Sequence, residues 1–243
     1  MPSLSIPDPR HQGFTLIEMA IVLLILSLLL GGGLAVLGAQ IDQQRVKDST
    51  TLLTEAQEAL LGYAASHVDA SGRPYLPCPD KTAGGGAGTA NDGQEDRTVA
   101  TGACVNQEGN LPWVTLGLAG TDSWGNRLRY RVEAVFSNSL TGMQLASTGA
   151  LRVNDAAGAA LVTTAPVVML SHGKNGRGAR NASGGANAAP TGANELENTD
   201  TDGVFVANSP VGTGGTGGEF DDLTVWLSPH LLFNRMIQAG RLP

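Results

Sequence analysis

From Phe14 to Ala39 the chain carries a single ionisable side chain, Glu18, in an otherwise apolar run. A stretch of that length is enough to cross the ~30 Å hydrocarbon core of a bilayer as one helix. A membrane span over residues 14–39 is therefore the first expectation. The run follows a polar leader ending in Gly13, the reverse of a secretory signal, whose small-residue cleavage site comes after its apolar core. Cleavage at Gly13 would keep the span. Glu18 stands near one end of the run, where an unpaired charge costs at least ~2.5–3.5 kcal/mol. A mature chain starting at Phe14 would bring its own α-amino group, and that of a neighbouring copy, near the depth of this carboxylate; otherwise Glu18 snorkels to water at the interface.

Gly13 followed by Phe14-Thr15-Leu16-Ile17-Glu18-Met19 resembles, residue for residue, the N-terminal processing motif of the type IV pilin and pseudopilin superfamily. The resemblance implies that a prepilin peptidase cuts after Gly13 and methylates the new N-terminus at Phe14, and that Glu18 supports subunit assembly. It also implies an α+β, pilin-like fold: a long N-terminal helix, transmembrane and then amphipathic, packed on an antiparallel β-sheet with a loop-rich C-terminal region. The implied location is the inner membrane, single-pass, with a periplasmic domain. The implied partners are prepilin peptidase, other pilin or pseudopilin subunits and an inner-membrane assembly platform. Asp122-Ser123-Trp124-Gly125-Asn126, with Tyr130 four residues on, resembles a segment of the major pseudopilins of type II secretion.

The boundaries expected on this reading are a leader at 1–13, the assembly helix at 14–39, its amphipathic continuation at 40–68 and one globular domain at 69–243. With 243 residues the chain has room for a long helix and one domain of ordinary size. The net charge is −7 and no basic patch argues for nucleic acid. Thirty-three glycines and 5% aromatics suit a strand-and-loop domain better than a helical bundle. In a domain displayed outside the cytoplasm Cys78 and Cys104, the whole cysteine inventory, most simply form one disulfide worth ~3.5 kcal/mol. A free thiol pair or half a metal site lacks nearby His or Cys partners.

Within the span Gly31-Gly32-Gly33 interrupts a Leu-rich helix, either loosening it or allowing close packing through small residues. After Gln40 an apolar stripe of Val46, Leu53 and Leu60, widened by Leu52, Ala56, Ala59, Tyr63 and Ala64, predicts a helix with one side on a domain, ending near Val68. Gly84 to Gly88 reads as an exposed or flexible turn. Leu111 to Leu118 is apolar enough to dock on the helix. Alternation from Leu128 to Phe136 predicts a half-buried strand. Further strands are expected at 144–146, 150–153, 160–164, 167–171 and 223–227, then a short helix with Ser228 as N-cap and Pro229 at its first position.

Gly173-Lys174-Asn175-Gly176-Arg177-Gly178 has the composition of a phosphate cradle but not its spacing, and reads as a surface loop. Asn198-Thr199-Asp200-Thr201-Asp202-Gly203, with Asp221 and Asp222 near the C-terminus, offers alternating oxygen ligands suited to a hard cation such as Ca²⁺; Glu195, Glu197 and Glu219 add negative charge. The EF-hand pattern is incomplete, with Ser209 at the bidentate position. A calcium site formed by Asn198, Asp200, Asp202, Asp221 and Asp222 and a solvated acidic turn both stay open; the resemblance adds that major pseudopilins bind calcium in a C-terminal loop. No enzyme signature is found, and the four histidines are scattered. The expectation is a structural subunit of a type IV pilus or type II secretion pseudopilus. Its competitors are a minor pilin acting in adhesion or DNA uptake, and a membrane-tethered enzyme.

Overall fold

A computed structural model describes residues 13–215 and 217–243, and of residues 30–37 the backbone alone. Positions 1–12 of the expected leader lie outside the described residues. The chain divides into two compact units, residues 1–44 and 45–243, and helix α1 (Leu16–Ser66) runs through the boundary.

In the first unit α1 opens with a reciprocal cap. The Glu18 N–H donates to Thr15 Oγ1 at 3.3 Å, and the Thr15 N–H donates to Glu18 Oε2 at 3.5 Å. This is the capping box, which satisfies two of the orphan donors at a helix start. Beyond it every large apolar side chain from Phe14 to Leu29 is exposed, from 44% at Val22 to 93% at Leu16. The backbone stays helical through Gly31, Gly32 and Gly33, so the triplet does not interrupt α1. No helix among the described residues is long and apolar enough to cross a membrane. The span expected at 14–39 includes positions 30–37, whose side chains lie outside the described residues.

The second unit begins with the rest of α1. The elements after it are β1 (Glu108–Asn110), α2 (Trp113–Leu116), β2 (Arg129–Val132), α3 (Ala134–Ser137), β3 (Leu151–Asn154), β4 (Ala160–Ala165), β5 (Val167–Ser171), α4 (Ala193–Glu197), β6 (Val204–Val206), β7 (Leu223–Leu227) and α5 (Pro229–Gln238). Leu53, Ala56, Leu60 and Ala64 of α1 are fully buried, as the stripe predicts, while Val46 is exposed. The helix stops at Ser66, two residues before Val68, because Asp69 takes over the next turn: its Oδ1 accepts the N–H groups of Ser71 and Arg73, both at 2.8 Å.

Two sheets replace the one expected. The first is antiparallel in the order β1-β2-β5-β7; the second is mixed, β4-β3-β6, with β3 and β6 parallel. The physical reason lies in β5, which is buried on both faces. Val167 and Met169 join the core under α1, whereas Val168 and Leu170 join a second core with Leu151, Val153 and Phe205. A strand covered on both sides reads as a continuous apolar run, and Val167-Val168-Met169-Leu170 is one. The strand expected through Phe136 is corrected: β2 ends at Val132 opposite Val167. The next residue of the facing strand would be Pro166, which has no N–H to offer, and the chain turns into α3 and buries Phe136. No strand forms at 144–146, where Gln144 and Ser147 close a turn instead.

Gly84 to Gly88 is an exposed run of bends, as expected, and it is held from beneath by one side chain. Lys81 is buried, 2% exposed, and its Nζ donates to the carbonyls of Gly85, Ala87 and Gly88 at 2.7–2.8 Å and of Gly86 at 3.4 Å. An ammonium has three protons and no acceptor, so the glycine loop is wrapped around a cation. Cys78 and Cys104 form a disulfide across this segment.

Candidate functional site

The structure sorts the expected cation ligands into two groups. Asp221 and Asp222 lie with Glu195, and Asp200 and Asp202 lie with Glu197; within each group the carboxylates offer oxygens within 4.8 Å of one another. Asn198 is buried and its amide is engaged: Oδ1 accepts the Val206 N–H at 2.7 Å, while Nδ2 donates to the Val206 carbonyl at 3.1 Å and to Asp222 Oδ2 at 2.8 Å. It braces β6 against the acidic group. Asp200 and Asp202 are exposed and close short turns, Asp202 Oδ1 accepting the Val204 N–H at 2.8 Å.

The group around Glu195 is different in kind. Glu195 and Asp222 are each 1% exposed. Glu195 Oε1 accepts from Asn175 Nδ2 at 2.8 Å and Asp221 Oδ2 accepts the Asn175 N–H at 2.8 Å. The second oxygen of each acid, Glu195 Oε2, Asp221 Oδ1 and Asp222 Oδ1, is buried without a hydrogen-bond partner. Burial, with the charges of Glu195, Asp222 and Glu219 adding to it and the Asn175 N–H opposing it, pushes the Asp221 carboxyl up to about 6. His172 Nδ1 lies 3.5 Å from Asp222 Oδ1. Leaving three buried carboxylate oxygens unmatched is expensive. A hard cation matches them, since Ca²⁺ takes oxygen ligands from carboxylates and carbonyls.

The loop rejected as a phosphate cradle supports this group instead. Gly173 sits at φ +58°, and a Cβ there would meet the Asp221 carbonyl at 2.2 Å; only glycine lets the two segments close, which delivers the Asn175 N–H to a carboxylate. Glu195 joins this acidic group from α4, where its sequence neighbours gave no sign that it would be buried. Asp122, in the segment resembling major pseudopilins, is a turn former: Oδ1 accepts the N–H groups of Trp124 and Asn126 at 2.9 Å and Oδ2 accepts the Ser171 hydroxyl at 2.5 Å.

At the other end of the chain Gly13 and Phe14 are exposed, and nothing lies within 4 Å of where a Gly13 Cβ would be. A peptidase would meet an open backbone there. Residues 8–34 match the family model described as the prokaryotic N-terminal methylation motif. The chain carries the prepilin-type signal. Gly13, Phe14, Thr15 and Glu18 all fall inside the matched residues. At a coarse level this motif supports a pilin-like or pseudopilin protein, processed by prepilin peptidase and assembled with other pilins, and it points to a structural subunit. No curated protein and no solved structure matches the chain. The prepilin-type signal thus accounts for the start of α1, and the acidic group is a property read from this chain's own geometry.

Proposed function

We propose that the chain is a subunit of a type IV pilus or a type II secretion pseudopilus. It is cut after Gly13, held in the inner membrane by residues 14–39 with residues 69–243 in the periplasm, and packed into a filament through the first half of α1. The observation that carries this reading is the uninterrupted exposure of the large apolar side chains from Phe14 to Leu29 directly after the processing motif. A helix apolar all round is at home only in lipid or among other helices. In the filament Glu18 balances the terminal amine of a neighbouring Phe14, and in the monomer it caps its own helix through Thr15.

The same reading gives the outer domain a calcium ion held by Glu195, Asp221 and Asp222, with Asn198 and Asn175 positioning the acids. The ion's role is structural, tying α4, β7 and the loop before α4 together. Mass spectrometry of the mature N-terminus, in cells with and without prepilin peptidase, tests the first part. The expected product is a chain starting at N-methylated Phe14 only when the peptidase is present. A functional protein that keeps Met1 to Gly13 overturns the proposal.

A further inference from the structure

A cleft of about 290 Å³ opens on the second unit, and three arginines, Arg127, Arg129 and Arg180, line it together with the buried His172. The local charge is not matched. Glu108, also in the wall, is shared between Arg129 and Arg131, with Arg131 Nη1 2.6 Å from Oε2 and Arg129 Nη2 paired to Oε1. Neither Arg127 nor Arg180 forms an ion pair with a carboxylate among the described residues. Arg127 stacks on Trp113, 3.7 Å from the ring centroid, and donates to the carbonyls of Gly120 at 2.6 Å and Ala182 at 2.8 Å. Arg180 makes one long contact, Nη1 to the Gly184 carbonyl at 3.4 Å. The Nε–H groups of Arg127 and Arg129 are buried without a partner. Asp80 adds one acid whose field reaches Arg127, which leaves an excess of cations and of N–H donors.

We infer that this cleft binds a small anion bearing a carboxylate or a phosphate, gripped by Arg127 and Arg180. A guanidinium offers five donors in a planar fork that matches both oxyanions. Arg127, fixed by two carbonyls and an indole, is already oriented for such a ligand, and Arg180, held only by one long contact, has donors to spare. The volume limits its size. At ~30 Å³ per water the cleft holds roughly ten waters, room for one sugar or one amino acid. The chain as a whole carries −7, so a long polyanion is repelled, while a small one inside the cleft is within a Debye length of the arginines and feels their local field. This site uses no residue assigned to processing or assembly and none of the three proposed calcium ligands, though His172 in its wall adjoins Asp222.

The test is isothermal titration calorimetry of the purified full chain at low ionic strength with inorganic phosphate, D-glucuronate and, as the uncharged control, D-glucose. Saturable binding of at least one anion and none of glucose is expected; the tighter of the two anions tells a phosphate ligand from a carboxylate one. Arg180→Gln should weaken that anion at least about tenfold with an unchanged Tm, and Arg180→Lys, which keeps the charge, should lose less. Absence of saturable binding by either anion, equal binding of glucose, or equal affinity in Arg180→Gln and Arg180→Lys would each overturn the inference. Filament assembly is not read by this experiment, so its failure leaves the subunit proposal untouched.

Discussion

Glu18 has two partners available at different stages, and they separate by substitution. In the monomer its carboxylate and the Thr15 hydroxyl cap α1 reciprocally; in the filament proposed here it neutralises a neighbouring amine. Gln serves the N3 position of a capping box as well as Glu does but carries no charge. Glu18→Gln should therefore leave the cap intact and abolish assembly, and Glu18→Ala should lose both, the cap being worth ~1 kcal/mol. Filament yield after shearing, with helicity of the purified chain by circular dichroism, reads the two effects. Normal filaments from Glu18→Gln would refute the charge role. The Thr-x-x-Glu spacing was legible at Thr15 and Glu18, yet the demand for a charge partner obscured it. Glu195 was legible only as nearby charge, because its burial depends on Asn175 and Asp221, 20 and 26 residues away, which no local pattern encodes.

At the scale of elements, period-two alternation located β2 and the apolar run located β5, but not the second sheet that the two-sided burial of β5 requires. That requirement depends on which strands return to cover Val168 and Leu170, a long-range fact carried by Leu151, Val153 and Phe205. The glycine loop after Lys81 is exposed as its composition suggests, but what orders it, a buried ammonium gathering its carbonyls, is not visible in that composition. Lys81→Met keeps most of the stem and removes the cation, leaving those carbonyls unmatched. It should destabilise the domain on the order of 3 kcal/mol, measured by urea denaturation, and increase protease cleavage within residues 84–88. Reduction of the Cys78–Cys104 disulfide, which closes a loop with a sequence separation of 26, should cost a further ~3.5 kcal/mol on the chain-entropy account. An unchanged denaturation midpoint in Lys81→Met would mean that the carbonyls find water without penalty.

For the molecule as a whole the buried acids make stability depend on pH in a direction that calcium should reverse. Burial pushes Asp80 and Asp221 each up to about 6, against the ordinary value of 3.8. Burial also raises Asp96, Glu133 and Glu197. Asp69 runs the other way: burial would raise it, but the N–H groups of Arg73 and Ser71 and the Arg73 guanidinium outweigh that and hold it down. An acid raised in the folded state keeps its proton at a pH where the unfolded chain has already released it. Folding then takes up protons, and stability falls as pH rises from the unfolded value through the folded one. With the ion chelated, Tm should therefore decrease between about pH 4 and pH 7. Calcium binds only the ionised carboxylates, so it contributes little at the acid end, and at neutral pH it stabilises by RT ln(1 + [Ca²⁺]/Kd), ~2.7 kcal/mol at a hundredfold excess over Kd. Millimolar Ca²⁺ should flatten or invert the slope, and Asp221→Asn should remove the calcium response together with part of the slope seen in chelator. Should Tm at neutral pH be the same in calcium and in chelator, Glu195, Asp221 and Asp222 hold no ion, and their unmatched oxygens are served by water.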